Sequence, residues 1–334
     1  MQKFKIGIIG AGSIVETNHI PAINALPQAK VGWIYDKDAA RMTLVSKMYG
    51  IPSLLHALPA DGLPEVDVCL LAIPYGSRKP YIEDCRQKGK SLVVEKPFAF
   101  SKEEHLANCM GFRPWEIGVN FQRRYYHSVG AIRKIIQGNV FGRLKHIRFV
   151  QGNFTLKGGS GYLSNVALAG GGVIAESCSH ILDIILSLTD ADEVRVVQLQ
   201  SLHQAGLDYD TVFDSEIKAG NNEVTVCCEI STLRNLDNGL YLEFEHATLS
   251  CDLSPDGKTF IRDTKKKQVE FVVTESPLYE GLSLQATRIG DAFLVFWRQF
   301  LLGIEQQKAN QTSASSSLLT SSWIGDIYGK INLS

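Results

Sequence analysis

The chain reads as a two-domain α/β protein: a doubly wound parallel sheet, then an α+β domain with an open, largely antiparallel sheet. Three observations carry this. Over the first 120 residues, unbroken apolar runs alternate with helical segments, as in a parallel sheet covered on both faces. After residue 122 the pattern changes to long strand candidates with few helices between them. The length of 334 residues suits about two domains. The expected division is 1–122 and 123–334.

The elements follow in order. Phe4–Ile9 is an apolar strand run ending at glycine, and Ile14–Ala25 reads as a helix stopped by Pro27. Lys30–Tyr35 is a strand ending at Asp36, and Ala39–Tyr49 a helix stopped by Gly50. Val66–Ile73 is a strand closed by Pro74, and Arg78–Lys88 a helix with Gly89 as its C-terminal stop. Ser91–Glu95 is a strand closed by Pro97. Ser101 with Glu104 three residues on is a capping-box pattern, and Trp115–Phe121 is the last strand of this half. The second half begins with a helix at Ser128–Gln137 and a strand at Leu144–Phe154. A glycine-rich loop, Lys157–Gly172, leads into an apolar helix at Val173–Leu188. Five strand candidates follow: Glu193–His203, Thr211–Lys218, Glu223–Leu233, Gly239–Cys251 and Thr259–Thr274. Leu284–Gln306 reads as a helix. The Ser/Thr-rich stretch Thr312–Ser322 carries Leu318 and Leu319, which argue for an ordered helix start.

Composition sets limits on function. Hydrophobic residues make up 45% and charged residues 21%, ordinary for a globular chain. Net charge is −1, so no global basic field attracts nucleic acid or an anionic membrane. Seven cysteines with no Cys-x-x-Cys spacing form neither a disulfide framework nor a zinc signature, and no metal is expected. Apolar stretches fall short of about 18 residues, so no membrane span and a cytoplasmic location are expected.

Gly10-Ala11-Gly12-Ser13-Ile14-Val15 follows a strand and opens a helix, nearly the G-x-G-x-x-G/A dinucleotide fingerprint of a Rossmann domain. Gly10 permits the turn, and Gly12 lets backbone N–H groups approach a pyrophosphate at the helix N-terminus. Val15 departs from the usual third glycine or alanine. Asp36, 24 residues after Gly12, ends the second strand, where a carboxylate accepts from adenosine ribose hydroxyls and repels a 2′-phosphate. NAD is therefore the expected cofactor, with NADP as the alternative because Lys37 lies next door. Ala72-Ile73-Pro74-Tyr75, at a strand's carboxyl end, is expected to line the cofactor crevice.

Glu95-Lys96-Pro97 ends another strand on the same carboxyl edge. Lys96 there can reach the nicotinamide end of a dinucleotide; an exposed strand-end lysine is the alternative. Gly170-Gly171-Gly172 precedes a helix carrying Glu176, His180 and Asp183 at i, i+4 and i+7. Ionisable groups on so apolar a helix need partners. A buried His–carboxylate packing network and a shared metal ion are the alternatives to catalysis.

These residues bring a family into view. The chain resembles the Gfo/Idh/MocA oxidoreductases nearly end to end, through Gly10-Ala11-Gly12, Asp36, Ala72-Ile73-Pro74 and the run Gly89 to Pro97. The match continues through Asn120-Phe121-Gln122-Arg123-Arg124, Gly138-x-x-x-Gly142, and Gly170-Gly171-Gly172 with His180 and Asp183. The resemblance implies a Rossmann domain plus a sheet domain that shapes the substrate pocket and often the oligomer interface. It implies transfer of a hydride between NAD(P) and a secondary alcohol or ketone of a sugar, sugar derivative or cyclitol. It implies Lys96 as the active-site lysine and His180 as the catalytic histidine. Glu176 stands where members usually have aspartate, Tyr75 where many have asparagine, and Arg78 where many have histidine. Which of Lys96 and His180 takes the proton stays open. Arg123, Arg124, Tyr162 and Asp183 are candidate substrate contacts, with a structural ion pair as the alternative for Arg124. The loop Lys157–Gly172 is a candidate mobile pocket wall. A small-molecule sugar or cyclitol partner and a homodimer or homotetramer are expected. A non-catalytic nucleotide-binding sensor, or a biliverdin-reductase-like or dihydrodiol-dehydrogenase-like chemistry, are the competing readings.

Overall fold

The computed structural model describes residues 3–52, 54–55, 62–154, 161–254, 258–263, 268–271 and 289–331. It divides into two compact units. The first comprises Met1–Phe98, Glu103–Gln122 and Arg288–Ser317; the second comprises Ala99–Lys102, Arg123–Thr287 and Leu318–Ser334. The expected division at 122/123 corresponds to one of these crossings. Residues 288–317, expected in the second domain, group instead with the first.

The first unit is a six-stranded parallel sheet of β1 (Phe4–Ile9), β2 (Ala29–Tyr35), β3 (Leu54–Leu55), β4 (Val68–Leu71), β5 (Ser91–Val94) and β6 (Ile117–Val119). Its order is β3-β2-β1-β4-β5-β6, so the strand order reverses between β1 and β4. That switch point is where open α/β sheets bind ligands, at the carboxyl ends of the strands. β4 and β5 are apolar apart from Ser91, and every residue in both is buried. The segment expected as one helix at Ile14–Ala25 is a π-helical turn, Val15–His19, running into α1 (Ile20–Asn24). α2 (Ala39–Tyr49) matches its expected bounds because both ends are capped. The Asp38 side chain accepts from the Arg41 amide, and Gly50 takes φ +62°. α3 (Lys79–Gln87) ends before Gly89, at φ +60° as expected of a stop. α4 (Lys102–Cys109) starts directly after Ser101.

In the second unit, α5 (His127–Gln137) precedes β7 (Leu144–Gly152). The short α6 (Val166–Ala169) and a π-helical turn, Ile174–Cys178, lead to α7 (Ser179–Thr189). β8 (Glu193–Gln204), β9 (Leu207–Ala219), β10 (Asn222–Ser231), β11 (Gly239–Phe244), β12 (Ala247–Cys251), β13 (Thr259–Asp263) and β14 (Gln268–Phe271) complete an eight-stranded sheet. Its order is β14-β13-β12-β11-β7-β10-β9-β8, with only β7 and β10 parallel. Two expected strands are hairpins. Gly239–Cys251 folds back between β11 and β12, where the Glu245 carboxylate is held by the Arg143 amide and side chain. Of Thr259–Thr274, the described residues form the antiparallel pair β13 and β14, and 264–267 and 272–274 lie outside the described residues. Both arms of a hairpin carry the same two-residue alternation, so periodicity alone runs them together.

The chain returns to the first unit through α8 (Ile289–Gln306), and α9 (Leu318–Ile331) belongs to the second. α8 buries Phe293, Phe296, Trp297 and Phe300 and packs on α1 and the turn before it. This is why residues far along the chain belong to the first unit. The Ser/Thr-rich stretch is ordered, as a single 3-10 turn (Ala314–Ser317) running into α9. The run Val166–Thr189 is long and apolar enough to cross a bilayer, against expectation, but 78% of its most apolar window is buried within the protein. That is the position of a core helix.

One core group predicts acid sensitivity. His105 of α4 is buried against the Phe98 ring, with Nε2 2.9 Å from the Ala314 carbonyl oxygen. Burial pushes its pKa down from 6.5 to about 4, against the hydrogen bond to Ala314. The unfolded chain therefore binds this proton first, and stability present in full above about pH 6.5 is lost as pH falls through 4. The expected loss is up to roughly 3 kcal/mol. Urea unfolding of His105→Phe between pH 7 and 4 should show a flatter acid limb than the wild-type chain.

Candidate active site

In the first unit the glycine turn has the form its sequence requires. Gly10 takes φ +108°, and a Cβ there would lie 2.3 Å from the Ala72 carbonyl oxygen. Only glycine fits this turn against β4. A Cβ on Gly12 would meet nothing within 4 Å, so the backbone at the helix start is approachable by a ligand. The amides of Val15 and Glu16 turn back onto the Gly12 carbonyl and begin the helix. Val15, at the third fingerprint position, is fully buried.

Asp36 lies beside this turn. One carboxylate oxygen accepts from the Ala11 amide at 2.6 Å and the other from the Asp38 amide at 2.9 Å. The loop after β1 and the end of β2 are thus locked together. Arg41 donates to the Ala11 carbonyl at 2.8 Å and pairs with Glu16, so its guanidinium is engaged. Ser13 and Lys37 are exposed, and Ile14 is partly so.

The crevice residues Ala72, Ile73, Pro74 and Tyr75 follow β4. Arg78 is buried and donates to the Ile73 carbonyl at 3.0 Å and the Pro97 carbonyl at 2.5 Å. It ties this loop to the turn that carries Lys96. The Tyr75 hydroxyl is hydrogen-bonded to Glu104, and burial followed by that contact pushes its pKa up. Glu95 accepts through Oε1 from His19 Nε2 at 2.8 Å and from Asn120 Nδ2 at 2.6 Å. Burial pushes the Glu95 carboxyl up, but the His19 contact, Asn120 and the Lys96 charge outweigh it and hold the group below its ordinary value. Lys96 therefore follows an anchored carboxylate at the carboxyl edge of β5.

The second unit explains the triple glycine. A Cβ on Gly171 would lie 2.0 Å from the Tyr328 hydroxyl, and one on Gly172 only 1.9 Å from the Asp208 carbonyl oxygen. The buried Asp208 carboxylate accepts from the amides of Gly172 (2.7 Å) and Ile174 (2.8 Å) and from the Tyr328 hydroxyl (2.7 Å). A buried anion thus caps the helix that carries Glu176 and His180. Sequence reasoning missed both Asp208 and Tyr328. They lie 36 and 156 residues from Gly172, with no local signal.

The expected single face of Glu176, His180 and Asp183 is modified. Glu176 sits in the π-helical turn and is exposed, while His180 and Asp183 are on α7 and buried. The change of helical pitch between them removes a strict i, i+4, i+7 stack. Asp183 is 1% exposed and is gripped by Arg124 through both carboxylate oxygens, with Thr320 donating at 3.2 Å. Burial pushes the Asp183 carboxyl up, against the pull of the Arg124 charge. These two expected substrate contacts thus form a buried ion pair, the alternative open for Arg124. Arg123 is half-buried in the 3-10 turn Gln122–Tyr125, and Tyr162 is exposed in the turn Gly161–Ser164. Of the loop Lys157–Gly172, residues 157–160 lie outside the described residues. Among the described residues no group of three or more His, Cys, Asp or Glu could hold a metal ion.

Comparison with known proteins adds the following. The model of the GFO_IDH_MocA oxidoreductase family, NAD-binding Rossmann fold, matches residues 4–109. Inositol 2-dehydrogenase of Corynebacterium glutamicum is 24% identical over 228 residues, 66% of this chain and 65% of that protein. The chain thus spans a little under two thirds of that relative. dTDP-3,4-didehydro-2,6-dideoxy-alpha-D-glucose 3-reductase of Streptomyces antibioticus is 23% identical over 150 residues, 43% of this chain and 45% of that protein. Among solved structures, levoglucosan dehydrogenase in complex with NADH and levoglucosan has a TM-score of 0.84 at 16% identity, covering 99% of this chain and 98% of that one. Aldose-aldose oxidoreductase from Caulobacter crescentus has a TM-score of 0.83 at 16% identity, with the same coverage. At these identities the structural likeness is one of fold. Residues 4–109 thus match the NAD-binding Rossmann domain of the Gfo/Idh/MocA oxidoreductases, and the two-unit fold is shared along its whole length with the solved structures named above.

Proposed function

We propose that the chain is an NAD-dependent oxidoreductase acting on a secondary alcohol or ketone of a sugar, sugar derivative or cyclitol. The observation that carries this is Lys96, held at the carboxyl edge of a Rossmann sheet by the anchored Glu95 and by the Arg78 tie to Pro97. Curated relatives named for inositol and a dideoxy sugar support the substrate class. The fit to a dinucleotide rests on Gly10, the open backbone at Gly12 and the Asp36 carboxylate. Gly10, Ala11, Gly12, Ser13 and Ile14 would hold the pyrophosphate, and Asp36 with Lys37 the adenosine ribose. Ala72, Ile73, Pro74, Tyr75, Glu95 and Lys96 would border the nicotinamide. When bound, the nicotinamide supplies the carbon that exchanges a hydride.

The protein's own part is proton handling and placement. His180 receives the hydroxyl proton of the substrate at an imidazole nitrogen. Lys96 donates a hydrogen bond to the same oxygen and stabilises its developing charge. Glu176 orients the imidazole. Arg123 and Tyr162 are substrate contacts. Holding the reactants in place supplies several kcal/mol.

NAD is preferred because Asp36 repels a 2′-phosphate and Arg41 is held by Glu16 and the Ala11 carbonyl. Asp36→Asn should lose affinity for NAD about tenfold and gain affinity for NADP, read by isothermal titration. Unchanged affinities would remove Asp36 from the ribose site. A cytoplasmic location is supported by seven free cysteines. A homodimer or homotetramer remains part of the proposal because the resemblance gives the sheet domain an oligomer interface. The activity is tested by mixing the purified chain with NAD or NADP and a panel of cyclitols, aldoses and sugar acids while following reduced-cofactor absorbance. Reduction with at least one member is expected; none with either cofactor contradicts the proposal.

A further inference from the structure

A chain of hydrogen bonds in the first unit sets the direction of one buried amide. It begins at Trp297 of α8, whose indole N–H donates to His19 Nδ1 at 3.0 Å. An indole nitrogen is only a donor, so His19 Nδ1 must present its lone pair. The ring hydrogen is therefore on Nε2, which donates to Glu95 Oε1 at 2.8 Å. The Phe293 ring meets the His19 ring edge-on at 4.8 Å between centroids, and His19 is fully buried. An ionised carboxylate only accepts, so the amide of Asn120 must turn its NH2 to Glu95, which it does at 2.6 Å. Both ends of the Asn120 amide are thereby assigned. Its Oδ1 points away from Glu95.

That oxygen is one of a small group of buried polar atoms with no hydrogen-bond partner among the described residues. Asn120 is 1% exposed, and among the described residues its buried Oδ1 has no hydrogen-bond partner. Burying an unpaired acceptor is costly, so such an atom calls for a donor from outside the protein. Its place in the sheet says which one. Asn120 follows β6 at the carboxyl edge, and its own amide donates to the Val94 carbonyl, two residues before Lys96. Asp36 and Gly12 mark the ribose and pyrophosphate positions on the β1–β3 half. A dinucleotide lying across the switch point then leaves its nicotinamide to the β4–β6 half. The carboxamide is the only N–H donor a nicotinamide carries.

We propose that Asn120 is a cofactor-specificity residue whose Oδ1 accepts a hydrogen bond from the nicotinamide carboxamide, in an orientation imposed by the Trp297–His19–Glu95 chain. This rests on the NAD reading above. Asn120 chooses the ring's substituent and takes no part in proton transfer. Trp297, His19 and Glu95 are positioning residues for it. A second buried acceptor, Gln122 Oε1, also lacks a hydrogen-bond partner among the described residues, but no chain of donors and acceptors fixes that amide as His19 and Glu95 fix Asn120.

The test is binding rather than turnover. Isothermal titration compares NAD, its 3-acetylpyridine analogue, whose acetyl group has no N–H, and ADP-ribose, which has no nicotinamide. The wild-type chain is expected to bind NAD about five- to tenfold more tightly than the analogue. Asn120→Ala and the smaller change Asn120→Ser should abolish that preference while keeping ADP-ribose affinity within twofold, which also reports an intact fold. Gln122→Ala should keep the preference. A wild-type chain that binds ADP-ribose but does not distinguish NAD from the analogue overturns the assignment and leaves the nucleotide reading standing. So does a preference that survives in both Asn120 variants, or one lost in Gln122→Ala instead. A wild-type chain that binds none of the three overturns the nucleotide reading and the assignment with it.

Discussion

Replacing His180 or Lys96 by alanine is expected to lower turnover by about 10²–10⁴-fold while leaving NAD affinity within a few fold. The two losses have different origins. His180→Ala would remove the proposed acceptor of the hydroxyl proton, so the loss should fall on the proton-transfer step. Lys96→Ala would remove the proposed charged donor to the reacting oxygen, and the loss should fall on kcat more than on KM because charge on that oxygen develops on the way to the transition state. Neither change should unfold its unit: Lys96 lies on a turn held by Arg78 and Glu95, and the π-helical turn that leads into α7 is held at its start by Asp208 and Tyr328. Steady-state kinetics with NAD titration in parallel separates the effects. Near-wild-type turnover in both variants would contradict the proposed roles.

The second large effect is on stability. Asp183→Ala leaves the Arg124 guanidinium buried, its side chain only 6% exposed, without the carboxylate that grips it. Breaking a buried pair in this way costs about 3–5 kcal/mol. Replacing both partners, as in Arg124→Met with Asp183→Leu, should recover much of it, because no charge is then left stranded. Urea unfolding of the single and double variants reads this directly. If Asp183→Ala unfolds at the wild-type midpoint, the pair is not structural, and both residues return as candidate substrate contacts.

Much of the first unit was legible because its signals are local. Capping at Asp38 and Gly50 marks α2, and the apolar run of β4 reports burial on both faces. Gly10 and Asp36 were readable from spacing, because the turn that requires one also brings the other to the Ala11 amide. What failed to show was distant in sequence. α8 joins the first unit through packing that no local pattern encodes, and with it comes Trp297, 278 residues from its partner His19. The two hairpins were read as single strands because their turns lack an Asn-Gly or Asp-Gly signal. The triple glycine was legible as a motif but not in its cause, which is the close approach of Asp208 and Tyr328. The stacked face expected of Glu176, His180 and Asp183 assumed a uniform α-helix, and a π-helical turn intervenes.

The central claim is that this chain moves a hydride between a carbinol carbon and nicotinamide. The most direct measurement uses the polyol panel deuterated at the carbinol carbons, with NAD, and mass spectrometry of the reduced cofactor. Deuterium recovered in the reduced nicotinamide, with transfer slowed in His180→Ala and Lys96→Ala, is the result predicted. A reduced cofactor without label, or no reduction with any member of the panel, would contradict it.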